Sequence, residues 1–294
     1  MLEWLTDWLK SGLIEGITAN FQGMFNEVNA RVGEIAAQVG QTPEDWNSGI
    51  FALIQTLSDT VIVPIAGMIL TFVLCYELIH TIIEKNNMHD IDTFIFFKWI
   101  FKTFIATFIL THTFDIVMGV FGLAQQAVNA GAGIIAGSLN VSLAMTNLDA
   151  TLRAMSVWEL MGLYAESGFL TLAMKAISIC IFIIVYARMI EIYLTISVAP
   201  IPFSTMVNHE WGQMGNSYLK SLFALAFQGF LIMVCVGIYA ILLQSIAMSG
   251  DIHIALWTCA GYTVLLCFIL FKTGSLARQV FSVKGKLKMS KKGN

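Results

Sequence analysis

The stretch AISICIFIIVYARMIEIYLTISV, residues 176–198, decides the fold. Its only charges are Arg188 and Glu191, set among apolar and small residues. At about 1.5 Å of rise per residue, such a helix crosses a hydrocarbon layer about 30 Å thick, which needs roughly 20 residues. Four further stretches share this character: Val61 to Ile83, Trp99 to Ala124, Leu222 to Met248 and Ile254 to Phe271. The composition of the 294-residue chain agrees, with 57% hydrophobic residues, 12% charged residues and a mean hydropathy of +0.76. The predicted fold is all-α, a polytopic membrane protein with about five transmembrane helices preceded by amphipathic helices. With so much chain committed to spans, no separate soluble core of ordinary size is expected.

Charge orders these spans. Residues 1–60 carry eight acids against Lys10 and Arg31, whereas the end of the chain holds Lys272, Arg278, Lys284, Lys286, Lys288, Lys291 and Lys292 without a carboxylate side chain. Short segments rich in Lys and Arg stay on the cytoplasmic side. The basic tail, residues 272–294, is therefore expected inside, and five crossings place the amino terminus outside. That arrangement puts the Glu84 to Lys98 loop and the cytoplasmic loop 200–220 inside, and an extracytoplasmic segment 125–168 outside. The expected organisation is an extracytoplasmic amphipathic arm over 1–60, a membrane domain over 61–271 and the tail. The net charge of −3 argues against a protein that coats nucleic acid along its length. No cleavable signal peptide is expected, because the first residues lack a basic region followed by an apolar block. The five cysteines, at 75, 180, 235, 259 and 267, fall inside spans without a CxxC pair, and read as small packing residues.

Ahead of the first span, Phe21, Met24, Phe25, Val28, Val32, Ile35, Ala36 and Val39 recur at helical spacing. Two or three amphipathic helices are expected here. Their polar face is acidic, whereas helices that grip anionic lipid carry Lys and Arg, so pairing with other protein helices is the favoured reading over lying on lipid. Thr42, Pro43, Glu44 and Asp45 form a helix start, with a Thr cap, Pro in the first turn and acids at the positive end of the dipole. The helix should run through Trp46, Ile50, Phe51, Ile54 and Leu57 into the first span. Residues 127–138 are small and aperiodic, which suits a re-entrant or close-packed element as well as a flexible loop. Asp149 to Tyr164 reads as a further amphipathic helix.

Charge inside a membrane is costly and usually faces protein or water. Three pairs at i, i+3 spacing form a candidate polar seam: Glu77 with His80, His112 with Asp115, and Arg188 with Glu191. The seam lines a path or fixes subunit contacts; alternatively the groups neutralise one another between helices, or Glu77 and His80 snorkel to the interface. No second Glu-x-x-His suggests a metal cluster, and no nucleophile elbow, zinc-protease motif or phosphate loop is present. No catalytic residue, cofactor or metal is expected, and any ATP-driven work belongs to a partner. Pro200 and Pro202, at the end of the third long stretch, lack amide donors, so a helix break is predicted there. A polar turn with His209, Glu210, Trp211, Gly212, Gly215 and Asn216 follows, and a helix restarts near Tyr218 to Leu222.

The span ending in Ala199-Pro200, the short apolar Ile201 to Phe203, the brief polar loop and the restart near Tyr218 resemble the TrbL and VirB-six family of polytopic inner-membrane proteins in conjugative type IV secretion systems. The resemblance covers residues 50 to 275. It implies a non-enzymatic channel or scaffold subunit in the bacterial cytoplasmic membrane, present in several copies. It further implies association with other secretion subunits, including cytoplasmic ATPases, contact with the lipid bilayer, and transient contact with single-stranded DNA. In that setting the basic tail, Arg278, Lys284, Lys286, Lys288, Lys291 and Lys292, contacts anionic lipid, an ATPase or the substrate backbone, although the same charges already serve topology. The competing classes are a secondary transporter or small channel, and a holin-like membrane-remodelling protein.

Overall fold

The computed structural model describes residues 2–84, 93–135, 148–208, 210–246 and 252–281. Among them are eleven α-helices and no strand: α1 (Leu2–Val39), α2 (Pro43–Trp46), α3 (Ser48–Leu57), α4 (Val63–Glu84), α5 (Thr93–Thr111), α6 (Thr113–Ile135), α7 (Leu148–Ala154), α8 (Val157–Ser197), α9 (Pro200–Thr205), α10 (Gly212–Ile246) and α11 (Ile252–Phe281). A π-helical turn, Ser58–Ile62, joins α3 to α4. Four helical stretches are long and apolar enough to cross a membrane: Ser48–Ile83, Val157–Ser197, Gly212–Ile246 and Ile252–Phe281. The number is five when the bent pair α5 and α6 counts as one crossing. The chain is a multi-pass membrane protein.

The expected second span, Trp99 to Ala124, is not one helix. It bends by 66° at His112. The cause lies in three consecutive side chains that bond carbonyls one turn back. Thr111 Oγ1 donates to Thr107 O at 3.0 Å, His112 Nδ1 lies 3.0 Å from Phe108 O, and Thr113 Oγ1 donates to Ile109 O at 2.9 Å. Side chains that occupy these carbonyls weaken the main-chain ladder and bend a helix. His112 and Asp115 therefore do not share the face of one continuous helix.

The chain divides into two compact units. The first comprises Met1–Gly40, Ala127–Ala187 and Phe230–Thr273. The second comprises Gln41–Gln126, Arg188–Gly229 and Gly274–Asn294. Residues 1–60 are thus shared between the two units.

In the first unit, the predicted early amphipathic helices are one helix, α1. Its stripe of Ile17, Phe21, Met24, Val32, Ile35 and Val39 is buried against Leu160, Leu170 and Ile181 of α8 and Ile232 and Val236 of α10. The arm pairs with helices of its own chain. Gly16 permits this approach, since a Cβ there would fall 2.6 Å from the Tyr164 ring. Asn20 Nδ2 donates to Ser167 Oγ at 3.0 Å, and Lys10 Nζ to Arg153 O at 3.2 Å. The helix expected over Asp149 to Tyr164 is split. Ser156 ends the α7 turn and caps α8, where its amide donates to Glu159 Oε2 at 2.7 Å and its hydroxyl accepts from the Glu159 amide. This is a capping box, and it lets α8 run 41 residues into the third span. On α7 the Asp149 carboxylate, bonded at 2.8 Å, raises the pKa of the Arg153 guanidinium, by hydrogen bond first and by charge second. The small-residue stretch is helical through Ile135, consistent with the high helix propensity of its alanines; Ala136, Gly137 and Ser138 lie outside the described residues.

In the second unit, Thr42 caps α2 with Pro43 at the first helical position. The helix does not continue as expected, because Asn47 adopts extended backbone and caps α3 by accepting from the Ile50 amide. Tyr193 of α8 donates to Pro43 O at 2.6 Å and its ring lies 5.8 Å from that of Trp46, which ties this double start to α8. Val117, Val120, Phe121 and Ala124 of α6 form a core with Met189, Ile192 and Ile196 of α8 and Leu222 and Leu225 of α10. The outward faces of α4 and α5 are apolar, as helices in contact with hydrocarbon require.

Candidate functional site

The site is built around the interruption after α8. That helix ends at Ser197 and α9 opens with Pro200 at its first helical position. Proline fits there because its missing donor is one the first turn leaves unpaired anyway. The two residues between the helices keep a tight turn, with the Ala199 amide donating to Ile196 O at 3.1 Å and the Ile201 amide to Val198 O at 3.2 Å. Pro200, Pro202, Phe203, Ser204 and Thr205 are all buried. Their bed is Ala66, Leu70 and Leu74 of α4 with Ala106 and Leu110 of α5, against which Ile201 and Val207 pack. Two hydroxyls inside this apolar surface are satisfied locally, Ser204 by Ile201 O at 2.7 Å and Thr205 by Pro202 O at 2.8 Å. Gly212 and Gly215 open α10, and a Cβ on Gly215 would fall 2.5 Å from Pro202 O. Only a residue without a side chain lets α10 start so close to α9.

One carboxylate holds the segment after α9. Glu77 of α4 accepts from Lys102 Nζ of α5 at 2.5 Å through one oxygen and from Asn208 Nδ2 at 2.8 Å through the other. Asn208 is buried, at 3% exposure, and its own carbonyl oxygen accepts from the Glu210 amide at 2.7 Å and the Trp211 amide at 2.9 Å. A single side chain thus ties the turn to the two helices, and every polar atom of the carboxamide that faces protein has a partner. The Tyr76 hydroxyl donates to Glu210 Oε2 at 3.1 Å, His80 Nε2 lies 4.0 Å from Glu210 Oε1, and the Trp211 ring stacks on Tyr76 at 5.3 Å and Phe72 at 5.7 Å. Trp99 Nε1 donates to Leu74 O, fixing α5 on α4 at the same place. Together these groups clamp the turn to α4 and α5. Among the described residues no group of three or more His, Cys, Asp and Glu side chains is placed to hold a metal ion.

The seam expected from spacing is regrouped. Glu77 and His80 reach the same turn through different partners, Glu77 through Asn208 and His80 towards Glu210. His112 and Asp115 flank the α5–α6 bend, both exposed. Arg188 and Glu191 are not hydrogen-bonded to each other: Glu191 is bonded by Arg278 of α11, while Arg188 is 6% exposed and touches Ala226 O at 3.5 Å and Met189 Sδ at 3.8 Å, with Nε unpartnered. Contacts of that length are weak, and a buried cation with weak partners destabilises its surroundings. Arg188→Met is therefore expected to raise the thermal unfolding midpoint in detergent; a lowered midpoint would mean that a carboxylate reaches Arg188. Of the basic tail, Lys272 and Arg278 are described, both in α11; Lys284, Lys286, Lys288, Lys291 and Lys292 lie outside the described residues, as do Lys85 and His209.

Lys102, Asn208 and Tyr76 escaped the sequence reading, and Trp211 enters it only as a member of the polar turn. Lys102 lies three residues after Trp99, deeper in an apolar and aromatic helix than the terminal Lys98, and that was its signal. A second cluster was also missed, in the first unit: Glu166 of α8 lies 2.6 Å from His253 Nδ1 and accepts from Trp257 Nε1 at 2.5 Å, joining α8 to the start of α11.

A family model described as TrbL/VirB6 plasmid conjugal transfer like protein matches residues 28–200, which include α3 to α8 and the break at Pro200. No curated protein and no solved structure matches the chain. The family match takes in more than half of the sequence and ends at the proline that opens α9, and the chain belongs to the TrbL/VirB6 conjugal-transfer-like family, as a membrane subunit that associates with other components of a type IV secretion system.

Proposed function

We propose that the chain is a non-enzymatic channel or scaffold subunit of a conjugal DNA-transfer machine in the bacterial cytoplasmic membrane, with its amino terminus outside and its carboxyl terminus in the cytoplasm. Several copies surround the path of the transferred strand, and cytoplasmic ATPases supply the work. The observation that carries this reading is the clamp of Glu77, Lys102 and Asn208, which holds a proline-opened helix and the turn after it immobile against α4 and α5. A fixed, partly exposed turn with Glu210 and Trp211 is suited to receive a partner protein, since a preorganised surface loses little entropy on binding. The basic end of the chain, on the same side in this reading, adds anionic lipid or a partner ATPase to its contacts.

The test is a complementation assay. A strain lacking the chain should fail to transfer DNA, and the native chain should restore transfer. Glu210→Ala combined with Trp211→Ala should insert normally yet lower transfer at least tenfold and reduce co-purification of the cytoplasmic ATPases. Normal transfer by that variant would remove the docking role. The second reading, a small-solute transporter, draws on the two interrupted helices, at His112 and at Pro200, because discontinuous helices often form transport sites. Solute flux through liposomes by the purified chain would favour it over the scaffold.

A further inference from the structure

Within the unit of Met1–Gly40, Ala127–Ala187 and Phe230–Thr273, α1 and α8 run side by side in the same direction. Lys10 meets Arg153, Asn20 meets Ser167, and the stretch 31–38 lies against 181–186. On α8 no charge stands between Lys175 and Arg188. Ile181 is six residues past Lys175, about 9 Å along the axis at about 1.5 Å per residue. The headgroup layer on either side of a bilayer is about 5–7 Å deep. With Lys175 in that layer, Arg31 of α1 is level with the boundary where headgroups give way to acyl chains.

At that level α1 carries a charged triad. Arg31 Nε donates to Glu27 Oε1 at 3.1 Å and Nη1 to Glu34 Oε2 at 2.5 Å, so one cation is held between anions a turn to either side. These side chains are only partly covered, with 29% of Arg31, 29% of Glu27 and 36% of Glu34 exposed. Nη2 of Arg31 and the second oxygen of each carboxylate take part in no hydrogen bond among the described residues. Charge left facing hydrocarbon is costly. Arg31 and Glu34 also border an open groove of about 210 Å³, whose apolar wall is Ile35 of α1 with Ile181, Phe182 and Val185 of α8. The volume is below the roughly 300–1,000 Å³ usual for a compact solute, whereas an acyl chain is slender enough to lie along it. A charged edge beside an apolar slot is the form of a phospholipid. The outward face of α5, with Phe97, Phe101 and Phe104, offers hydrocarbon contact alone.

The charges select the headgroup. One arginine and two glutamates give the triad a net charge of −1, which repels an anionic headgroup such as phosphatidylglycerol. A zwitterion supplies both partners, phosphate oxygens for Arg31 Nη2 and a cation for the remaining carboxylate oxygens. A primary ammonium has three N–H donors for those oxygens, and the quaternary ammonium of phosphatidylcholine has none. Charge-assisted hydrogen bonds of this kind are the strong ones.

We propose that the α1–α8 groove binds one zwitterionic phospholipid with a primary ammonium headgroup. Its phosphate sits on Arg31, its ammonium on Glu27 and Glu34, and one acyl chain lies against Ile35, Ile181, Phe182 and Val185. The site belongs to a single copy of the chain and does not depend on the secretion reading. In the experiment the full chain is purified in mild detergent, stripped of lipid and titrated with phosphatidylethanolamine, phosphatidylcholine or phosphatidylglycerol of the same acyl chains. Bound lipid is counted by native mass spectrometry. The first phosphatidylethanolamine should bind at least tenfold more tightly than either of the others; equal binding of all three, or binding of none, overturns the proposal. Phosphatidylethanolamine with a photoreactive diazirine in one acyl chain should, at one lipid per chain, label peptides covering 31–38 and 181–186. Label confined to other helices overturns it. In E27Q/E34Q the Arg31 cation stands alone, and the preference should pass to phosphatidylglycerol; an unchanged preference overturns it too. A detergent melt without lipid shows whether that variant folds, and where it does not, the headgroup series and the label on the native chain decide.

Discussion

Gly215→Ala is expected to cut the amount of chain in the membrane several-fold and to lower its thermal midpoint, although it adds one methyl group. The new Cβ would fall 2.0 Å from Met206 Cγ and 2.5 Å from Pro202 O. The Met206 side chain can swing away, but the Pro202 carbonyl is main chain in a helix whose residues are nearly all buried. Either α9 must leave its bed on α4 and α5 or α10 must start elsewhere. Overpacking in a close-packed interior costs 1–3 kcal/mol, and a clash with buried main chain belongs at the upper end, about 3 kcal/mol. Losses of that size change steady-state abundance. Met206→Ala should not rescue Gly215→Ala, because the carbonyl remains. Gly67→Ala on α4 is the control: nothing lies within 4 Å of its Cβ position, so abundance should hold, with stability unchanged or higher by up to about 1 kcal/mol. Equal abundance of the Gly215 and Gly67 variants, measured on membranes with a detergent melt beside it, would refute the α9–α10 packing.

What the sequence made legible follows what local forces control. Long apolar runs announce spans because no other environment suits them, and Thr42 with Pro43 announces a helix start because both groups act within one turn. Ser156 and Glu159 are equally local, a capping box in plain view, but a box marks where a helix starts and not how far it runs, so the amphipathic reading of Asp149 to Tyr164 gives no sign of a helix of 41 residues. The bend at His112 has neither proline nor glycine; it comes from three neighbouring side chains turning back on carbonyls, each of which alone is tolerated in a straight helix. The partners of the seam were illegible for another reason. Spacing of i, i+3 shows which residues share a face, but not what faces them. Glu77 meets Lys102 on another helix and Asn208 beyond the proline break, and Glu191 meets Arg278 at the far end of the chain. Those pairings exist only once α4, α5 and α9, or α8 and α11, have packed.

Glu77→Leu should be the most damaging single change in the clamp, and pairing it with Lys102→Leu should separate what the clamp does for stability from what it does for transfer. Removing the carboxylate alone leaves an ammonium at the helix contact without its counter-charge and the Asn208 carboxamide without its acceptor. Breaking a buried pair from one side costs 3–5 kcal/mol; with the Lys102 side chain 33% exposed and Glu77 18% exposed, solvent reduces that to about 2 kcal/mol, and membrane abundance should fall. In the double variant no charge is stranded, and apolar residues of similar volume can replace such a pair at little or no cost, so abundance should return to near the native level. Transfer should not return. Asn208 still lacks the carboxylate, and the turn then keeps only its weaker ties, the Tyr76 bond and His80 approach to Glu210, the Trp211 stack and the packing of Val207, which leaves the proposed docking surface free to shift. Transfer at least tenfold below native at native abundance is the expected result. Glu77→Gln keeps an acceptor for Asn208 while losing the charge, so it should transfer better than the double variant even where it is less stable. If the double variant transfers as well as the native chain, the carboxylate serves packing alone, and the fixed turn is not what the secretion machine recognises.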